Sequence, residues 1–459
     1  MIDVLAVLGD RATIARQPEF RVEQADDAAT MAAYHALRTD VFVRDQGLFT
    51  GHDRDERDED PRTVVLVARD RAGTVVGGVR LGPATRGTDL GWWLGGRLVV
   101  APASRGTVGS ALIRAACAYA ENAGVLRFEA TVQVRTEALF VRLGWTPVRP
   151  VSVAGSAHVL MRWPIRRIAA LAEATKSDLG PLLAGLTGMP GFVGDDGVPV
   201  PGSDLVAACD AILPSMVERD PDWAGWCSVL VNVNDLAAMG ADPVGLLDAL
   251  GARDRSFATR VLAGLRRASE AYAVPVLGGH TQLGVPAALS VTALGRTGRP
   301  VPGGGGKPGH RVRLTADLAG GWRPGYAGRQ WDSTTTRRTP ELRAMLASVG
   351  TALPAAAKDV SMAGVVGTLG MLAEASGCGS VLTVADVPRP SGATVGDWLT
   401  CFPGFAVLTA DEPGAGALVS PAMSAECGEL VAGQGVMLRW PDGEQTVAIE
   451  AGVTGMGTA

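Results

Sequence analysis

Five aspartates between residues 195 and 359, with Asn232 and Asn234 beside one of them, have the types and spacing to do chemistry around a cation. Asp235 lies in WCSVLVNVNDLAAMGADP, residues 226–243. At 100° per residue Trp226, Val229, Leu230, Val233, Leu236 and Ala237 form one broad apolar arc, and Ser228, Asn232, Asp235 and Met239 share the remaining side. Such a helix is expected to be buried, and an unpaired carboxylate there costs several kcal/mol or more. The helix contains no Lys or Arg, so either a basic partner from elsewhere or a bound cation must compensate Asp235. Upstream, GFVGDDGVPVPGSDLVAACDAIL reads as two short strands, GVPV and DLVAACD, joined through Pro201, Gly202 and Ser203. Pairing Val200 with Asp204 brings Asp195 and Asp196 beside Asp210. Together with Asp235 these carboxylates repel one another unless cations are bound, and hard oxygen ligands suit Mg²⁺. Exposed turn acids plus one ion-paired helix Asp is the alternative, and both stay open at this point. Further on, AKDVSMAGVVGTLGMLAEA places Asp359 and Ser361 just before a helix or in its first turn, where an N-cap worth about 1 kcal/mol is the simplest role.

The elements that must position these residues belong to a chain of 459 residues, long enough for two to four domains. The composition is globular, 47% hydrophobic and 19% charged, and the net charge of −5 leaves no electrostatic footprint for nucleic acid. Six scattered cysteines show no metal-ligand spacing, which argues against zinc and fits reduced thiols in a cytoplasm. No segment reaches the roughly 18 apolar residues of a membrane span. A soluble cytoplasmic protein with a small-molecule substrate, no nucleic acid and no membrane is the expectation. Composition shifts near residue 165 and in GRTGRPVPGGGGKPGH, residues 295–310, divide it into domains 1–165, 166–305 and 306–459, the glycine run being read as a connector. The run HDRDERDED, residues 52–60, reads as a solvated charged loop.

Residues 1–165 alternate strands and helices. TVVLVARD and TVVGGVRLGP make a hairpin, GRLVVAP a third strand, SALIRAACAYAENAG a helix, LRFEATVQV a strand and TEALFVRLG a short helix. Between GRLVVAP and a helix starting near Ser110, the backbone N–H groups of Arg105 to Gly109 can converge on an anion such as a pyrophosphate. This order resembles the GNAT N-acetyltransferase family through RTDVFVRDQGLF, VVAPASRGTVGSAL and EALFVRLGW. The resemblance implies acetyl-CoA held by Val99, Val100, Arg105, Gly106, Thr107, Val108, Gly109 and Ser110. Of the three defining loop positions, Ser104, Thr107 and Gly109, only Gly109 fits the family pattern. Where the family often has a proton-donating Tyr, this chain has Phe140, which has no proton to give.

The remainder resembles the aminoimidazole ribonucleotide (AIR) synthetase superfamily, which includes thiamine-monophosphate kinase. GDDGVPV, Asp210, NVNDLAAMGADP, GGHT (residues 278–281) and AKDVSMAG follow in that superfamily's order. The resemblance implies ATP and Mg²⁺ bound between the subunits of a homodimer, with Asp195, Asp196, Asp210 and Asp235 holding metal. It places nucleotide at Asn232, Gly278, Gly279, His280 and Thr281, and a catalytic carboxylate at Asp359 near the substrate. His280 stands where the kinase pattern has Asp, and imidazole is a poor Mg²⁺ ligand.

The expected fold class is therefore α/β and α+β: a GNAT-like mixed sheet followed by a two-domain AIR synthetase-like module. The fusion resembles a bacterial family associated with nitrogen-starvation gene clusters. The implied function is a bifunctional enzyme, acyl transfer plus ATP- and Mg²⁺-dependent phosphoryl transfer to a nitrogen-containing metabolite. A sensor that binds CoA and nucleotide without turnover is the alternative.

Overall fold

The computed structural model describes residues 19–459 apart from Arg105 and Thr187. Two compact units result, residues 1–165 with 394–396 and residues 166–393 with 397–459. In unit one, β1 (Phe20–Gln24), β2 (Val64–Asp70), β3 (Val75–Pro83), β4 (Trp92–Val100), β5 (Arg127–Gln133), β6 (Thr146–Val153) and β7 (Ser156–Trp163) form a sheet in the order β1-β2-β3-β4-β5-β7-β6. Among the described residues, three α-helices, α1 (Ala28–Arg38), α2 (Thr107–Asn122) and α3 (Glu137–Arg142), accompany it. β3 is buried along its whole length because helices cover both faces. A Cβ on Gly77 would meet Leu112 and Val108 of α2 at 3.0 Å, and one on Gly78 would meet the Tyr34 ring of α1 at 2.6 Å, so the glycine pair permits the three layers to close.

β4 and β5 run parallel as paired neighbours only from Trp92↔Arg127 to Gly95↔Ala130. Past that point they continue to Val100 and Gln133 without pairing to each other, and the sheet splits. A bulge of β4 against β3 falls at this split and holds Arg97 at φ 53°.

Unit two contains a five-stranded sheet in the order β11-β10-β12-β9-β8, built from β8 (Val198–Pro199), β9 (Leu205–Ile212), β10 (Asp242–Ala252), β11 (Val276–Leu283) and β12 (Ala288–Arg296). Helices α4 (Pro221–Ala238) and α5 (Arg255–Tyr272) cross closely: a Cβ on Gly225 would meet the Val261 carbonyl at 2.0 Å, and one on Gly264 the Asp222 carbonyl at 1.8 Å. α4 is buried almost throughout, as its broad apolar arc requires. The hairpin register differs by one from the sequence expectation. Val198 faces Ala207, and Val200 donates its N–H to Leu205 rather than facing Asp204, because Ser203 caps a four-residue loop by bonding Val200 O and Leu205 N.

A second, seven-stranded sheet has the order β14-β16-β13-β17-β15-β18-β19, from β13 (Arg311–Ala316), β14 (Ala356–Asp359), β15 (Gly379–Thr383), β16 (Ala406–Asp411), β17 (Met423–Val431), β18 (Val436–Arg439) and β19 (Gln445–Ile449). β14 is wholly buried against β16, with Asp359 opposite Val407. The following helix, α6 (Gly364–Ala375), has no side-chain cap. Asp359 is thus the last residue of a strand and not a helix cap, which corrects the simplest reading of AKDVSMAG.

Candidate functional site

In unit two, β8 and β9, the C-terminal part of α4 and the end of β14 converge. One carboxylate oxygen each from Asp196, Asp235 and Asp359 lies within 4.8 Å of the other two. Asp235 and Asp359 are only 7% and 4% exposed. The Asp235 carboxylate has no hydrogen bond or ion pair among the described residues, whereas that of Asp196 is held twice, by the Asp359 N–H at 2.9 Å and by Lys358 Nζ at 3.2 Å. Lys358 is buried, donates to the Gly194 carbonyl at 2.8 Å, and lies 3.7 Å from Asp195. Asp195 in turn accepts from the Gly303 N–H at 2.8 Å. The glycine run therefore does more than connect: a Cβ on Gly303 would meet Asp195 at 2.4 Å.

Burial pushes the Asp235 and Asp359 carboxyls well above the usual range, and the neighbouring carboxylates push them further. The Asp195 carboxyl is pushed up to about 6, chiefly by burial, with Lys358 opposing. Lys358 is raised despite its burial because Asp196 and Asp195 outweigh it. Asn232 is fully buried; its Nδ2 donates to the Ser228 carbonyl at 2.9 Å and its Oδ1 has no partner. The three carboxylate oxygens make an all-oxygen donor set, which fits a hard divalent cation, and the orphaned amide oxygen belongs to the residue one turn before Asp235 on the same helix.

Five predicted residues stand apart. Asp210 is exposed on β9 and outside the three-oxygen group, though its charge is felt at both Asp235 and Asp359. Gly278, Gly279, His280 and Thr281 lie on β11, exposed along its whole length, at the sheet edge opposite β8. Four strand spacings, roughly 19 Å, separate those edges within one chain. Sequence reasoning missed Lys358 and Gly303. The signal for the lysine was present, since it is the basic residue directly before Asp359.

In unit one the split between β4 and β5 opens a cavity of about 1170 Å³. Val99, Val100, Gly106 and Gly109 line it, and Arg105 lies outside the described residues. α2 begins at Thr107, earlier than the expected Ser110, after Gly106 at φ 136° with no side-chain cap. The N–H groups of Gly106, Thr107, Val108 and Gly109 have no partner within the helix, whereas that of Ser110 meets the Gly106 carbonyl in the first helical bond. The Val108 side chain itself points into the core. Phe140 also lines the cavity and packs edge-on against Trp145, with centroids 5.3 Å apart. His158, another lining residue, bonds the Ser156 carbonyl through Nδ1 at 2.9 Å. A carbonyl only accepts, so Nδ1 carries the proton and Nε2 keeps its lone pair in the neutral ring.

The run 52–60, expected to be solvated, instead builds part of this wall. Arg38 Nε meets Asp53 at 2.8 Å and its Nη1 meets Asp58 at 2.6 Å; Arg80 bonds Asp55 at 2.6 Å and Asp58 at 2.8 Å; Arg97 bonds Asp55 at 3.0 Å. Asp53 is 2% exposed. The alternation of acids in the run with arginines on α1, β3 and β4 draws it inward.

Residues 30–145 match the acetyltransferase (GNAT) family, and residues 194–297 match the AIR synthase related protein, N-terminal domain. The uncharacterized protein sll0787 of Synechocystis sp. is 37% identical over 229 residues, covering 48% of this chain and 70% of that one. The chain belongs to that protein's family. A thiamine-monophosphate kinase of Synechococcus elongatus is 36% identical over 112 residues, 22% of this chain and 34% of the kinase. PurL of T. maritima, solved with ATP, shares the fold at TM-score 0.51 and 15% identity over 64% of this chain and 53% of that one. The chain is thus an enzyme that joins a GNAT domain to an AIR synthase-related domain, a pairing that points to acyl transfer and ATP-dependent phosphoryl transfer. Among the described residues no helix is long and apolar enough to cross a membrane.

Proposed function

We propose that unit two transfers a phosphoryl group from ATP to a small metabolite, with Mg²⁺ held by Asp196, Asp235 and Asp359, and that unit one transfers an acetyl group from acetyl-CoA. The observation that carries the first part is the convergence of the Asp196, Asp235 and Asp359 carboxylates, of which Lys358 pairs only with Asp196. Bound Mg²⁺ would neutralise phosphate charge as it develops in transfer. Lys358 and the Asp359 N–H orient Asp196, Gly303 orients Asp195, and Asn232 offers its free oxygen from the helix face. Asp359 serves this reading as a carboxylate of the shared group rather than as a lone base, and Asp210 adds negative charge at the rim.

A homodimer is part of the proposal. Val276, Leu277 and Leu283 of β11 and Leu247 of β10 are exposed apolar residues at or beside an open sheet edge, the kind of surface a second subunit covers. A partner's β11 could then bring the GGHT segment to a site that its own chain leaves distant. The functional division 1–165, 166–305 and 306–459 is retained as part of the same reading.

In unit one the first turn of α2 offers N–H groups to the pyrophosphate of acetyl-CoA, and the β4–β5 split receives the acyl arm. Incubating the full chain with ATP, Mg²⁺, acetyl-CoA and pooled small metabolites, while following ADP and free CoA separately, tests both halves. ADP release abolished in Asp359→Asn and CoA release untouched by it is the expected result. ADP release that persists in Asp359→Asn would remove the carboxylate group from the reaction.

A further inference from the structure

The wall of the unit-one cavity carries information on the acyl acceptor, an inference that rests on the acetyl-transfer reading above. Arg57, Arg80, Arg97 and Asp55 all line the cavity. Behind them Asp53 and Asp58 are sealed by Arg38, which is itself fully buried. Asp53, Asp55 and Asp58 are each engaged by at least one guanidinium. Arg57 is different. Its Nη1 and Nη2 reach only the carbonyls of Pro83 and Ala84, at 3.2 and 3.5 Å, and no carboxylate among the described residues pairs with it. Burial and then the Arg80 charge both disfavour its cation, a situation that an incoming anion relieves. Across the cavity lining and the residues sealed behind it, Arg38, Arg57, Arg80, Arg97 and Arg135 against Asp45, Asp53, Asp55 and Asp58 leave one positive charge in excess, and Arg57 lines the space where an acceptor must sit.

We propose that the acceptor is a small primary amine bearing a carboxylate, of amino-acid type, whose carboxylate is bound by Arg57. A guanidinium pairs a planar carboxylate through two parallel N–H bonds. A single excess charge matches a carboxylate better than a phosphate ester, which carries about −1.5 to −2 at neutral pH. Anchored there, the amine faces the β4–β5 split. Its nitrogen forms the C–N bond to the acetyl carbonyl carbon while the C–S bond breaks. The thiolate leaves with the electron pair and is protonated from solvent, and the proton lost by nitrogen passes to Nε2 of His158.

The test uses the full chain with acetyl-CoA and follows free CoA. The panel is the twenty amino acids, their methyl esters, and phosphoethanolamine as the phosphate-bearing amine. At least one amino acid should be acetylated with kcat/KM about tenfold or more above its ester and above phosphoethanolamine. Arg57→Met should raise its KM about tenfold or more while leaving the acetyl-CoA Kd from calorimetry unchanged, and Arg57→Lys should fall between. If acetyl-CoA fails to bind the wild-type chain, the acetyl-transfer reading falls and takes this proposal with it. If it binds but esters or phosphoethanolamine react as well as free acids, no amino acid reacts, or Arg57→Met keeps its KM, the acceptor assignment alone is overturned.

Discussion

In unit one Asp53, Asp55 and Asp58 lie in one six-residue stretch and each meets an arginine, whereas in unit two Asp196, Asp235 and Asp359 come from three separate segments and meet one another. Burial acts on both groups, yet the outcomes differ in sign. The Asp55 and Asp58 carboxyls stay below the usual range because hydrogen bonds and charge from Arg80 and Arg38 outweigh burial. The Asp235 and Asp359 carboxyls are driven up by burial and then by their neighbours, with Lys358 only partly opposing. One group closes on itself and stiffens a cavity wall. The other holds carboxyls that a proton or a bound cation must neutralise, since Lys358 pairs only with Asp196.

The contrast breaks most visibly at Asp235. Asp235→Ala should weaken Mg²⁺-dependent ATP binding by about a thousandfold, ~4 kcal/mol, while the metal-free fold melts no lower than wild type. Calorimetry with and without Mg²⁺ checks the first part and a melting curve the second; unchanged ATP affinity would leave Asp235 a structural residue. The mirror experiment is Asp53→Asn, which removes one of the two carboxylates paired with the buried Arg38. It should destabilise unit one by about 3 kcal/mol, as removal of one partner from a buried pair does, measured by denaturant unfolding. A cost near zero would mean that the unit-one ring is not the closed system described.

Smaller effects sharpen the comparison. A Cβ on Gly109 meets only Val100, at 3.7 Å, so Gly109→Glu should fold normally while its carboxylate occupies the anion seat. About a tenfold loss of acetyl-CoA affinity, ~1.4 kcal/mol, with unchanged melting temperature is expected from calorimetry, and equal affinity would move the cofactor elsewhere. The smallest effect is in pH. Between the ordinary carboxyl value and about 6, folded Asp195 keeps a proton that the unfolded chain has released, so stability contributed there falls as pH rises through that window. In unit one the depressed Asp55 and Asp58 carboxyls act oppositely, contributing stability above the ordinary carboxyl value that is lost as pH falls below it. Melting of metal-free unit two should therefore drop by a few °C between about pH 4 and 6, and Mg²⁺ should restore it at neutral pH. A unit-two transition that rises with pH over that window, without metal, would reverse the assignment.

Periodicity and punctuation made much of the architecture legible. The apolar arc around Val229, Val233 and Leu236 announced a buried helix, and TVVLVARD with TVVGGVRLGP announced β2 and β3. Helix starts and registers were less accessible. α2 begins at Thr107 because a glycine at φ 136° turns the chain earlier than the small-residue pattern suggests. The hairpin before β9 is shifted by one residue because Ser203 closes its loop.

The sequence by itself determined which side chains could do chemistry: Asp235 on an otherwise apolar helix, paired acids at 195 and 196, glycines at a strand-to-helix junction. Those readings depend on neighbours within one or two turns, where the backbone alone fixes geometry. Tertiary structure alone decided which charges meet. Lys358 takes Asp195 and Asp196, Gly303 turns the glycine run toward them, Asp359 ends a strand, and the charged run 52–60 folds inward onto Arg38, Arg80 and Arg97. An ion pair depends on distance in space, and residues more than a hundred positions apart acquire one only when sheets and helices have packed.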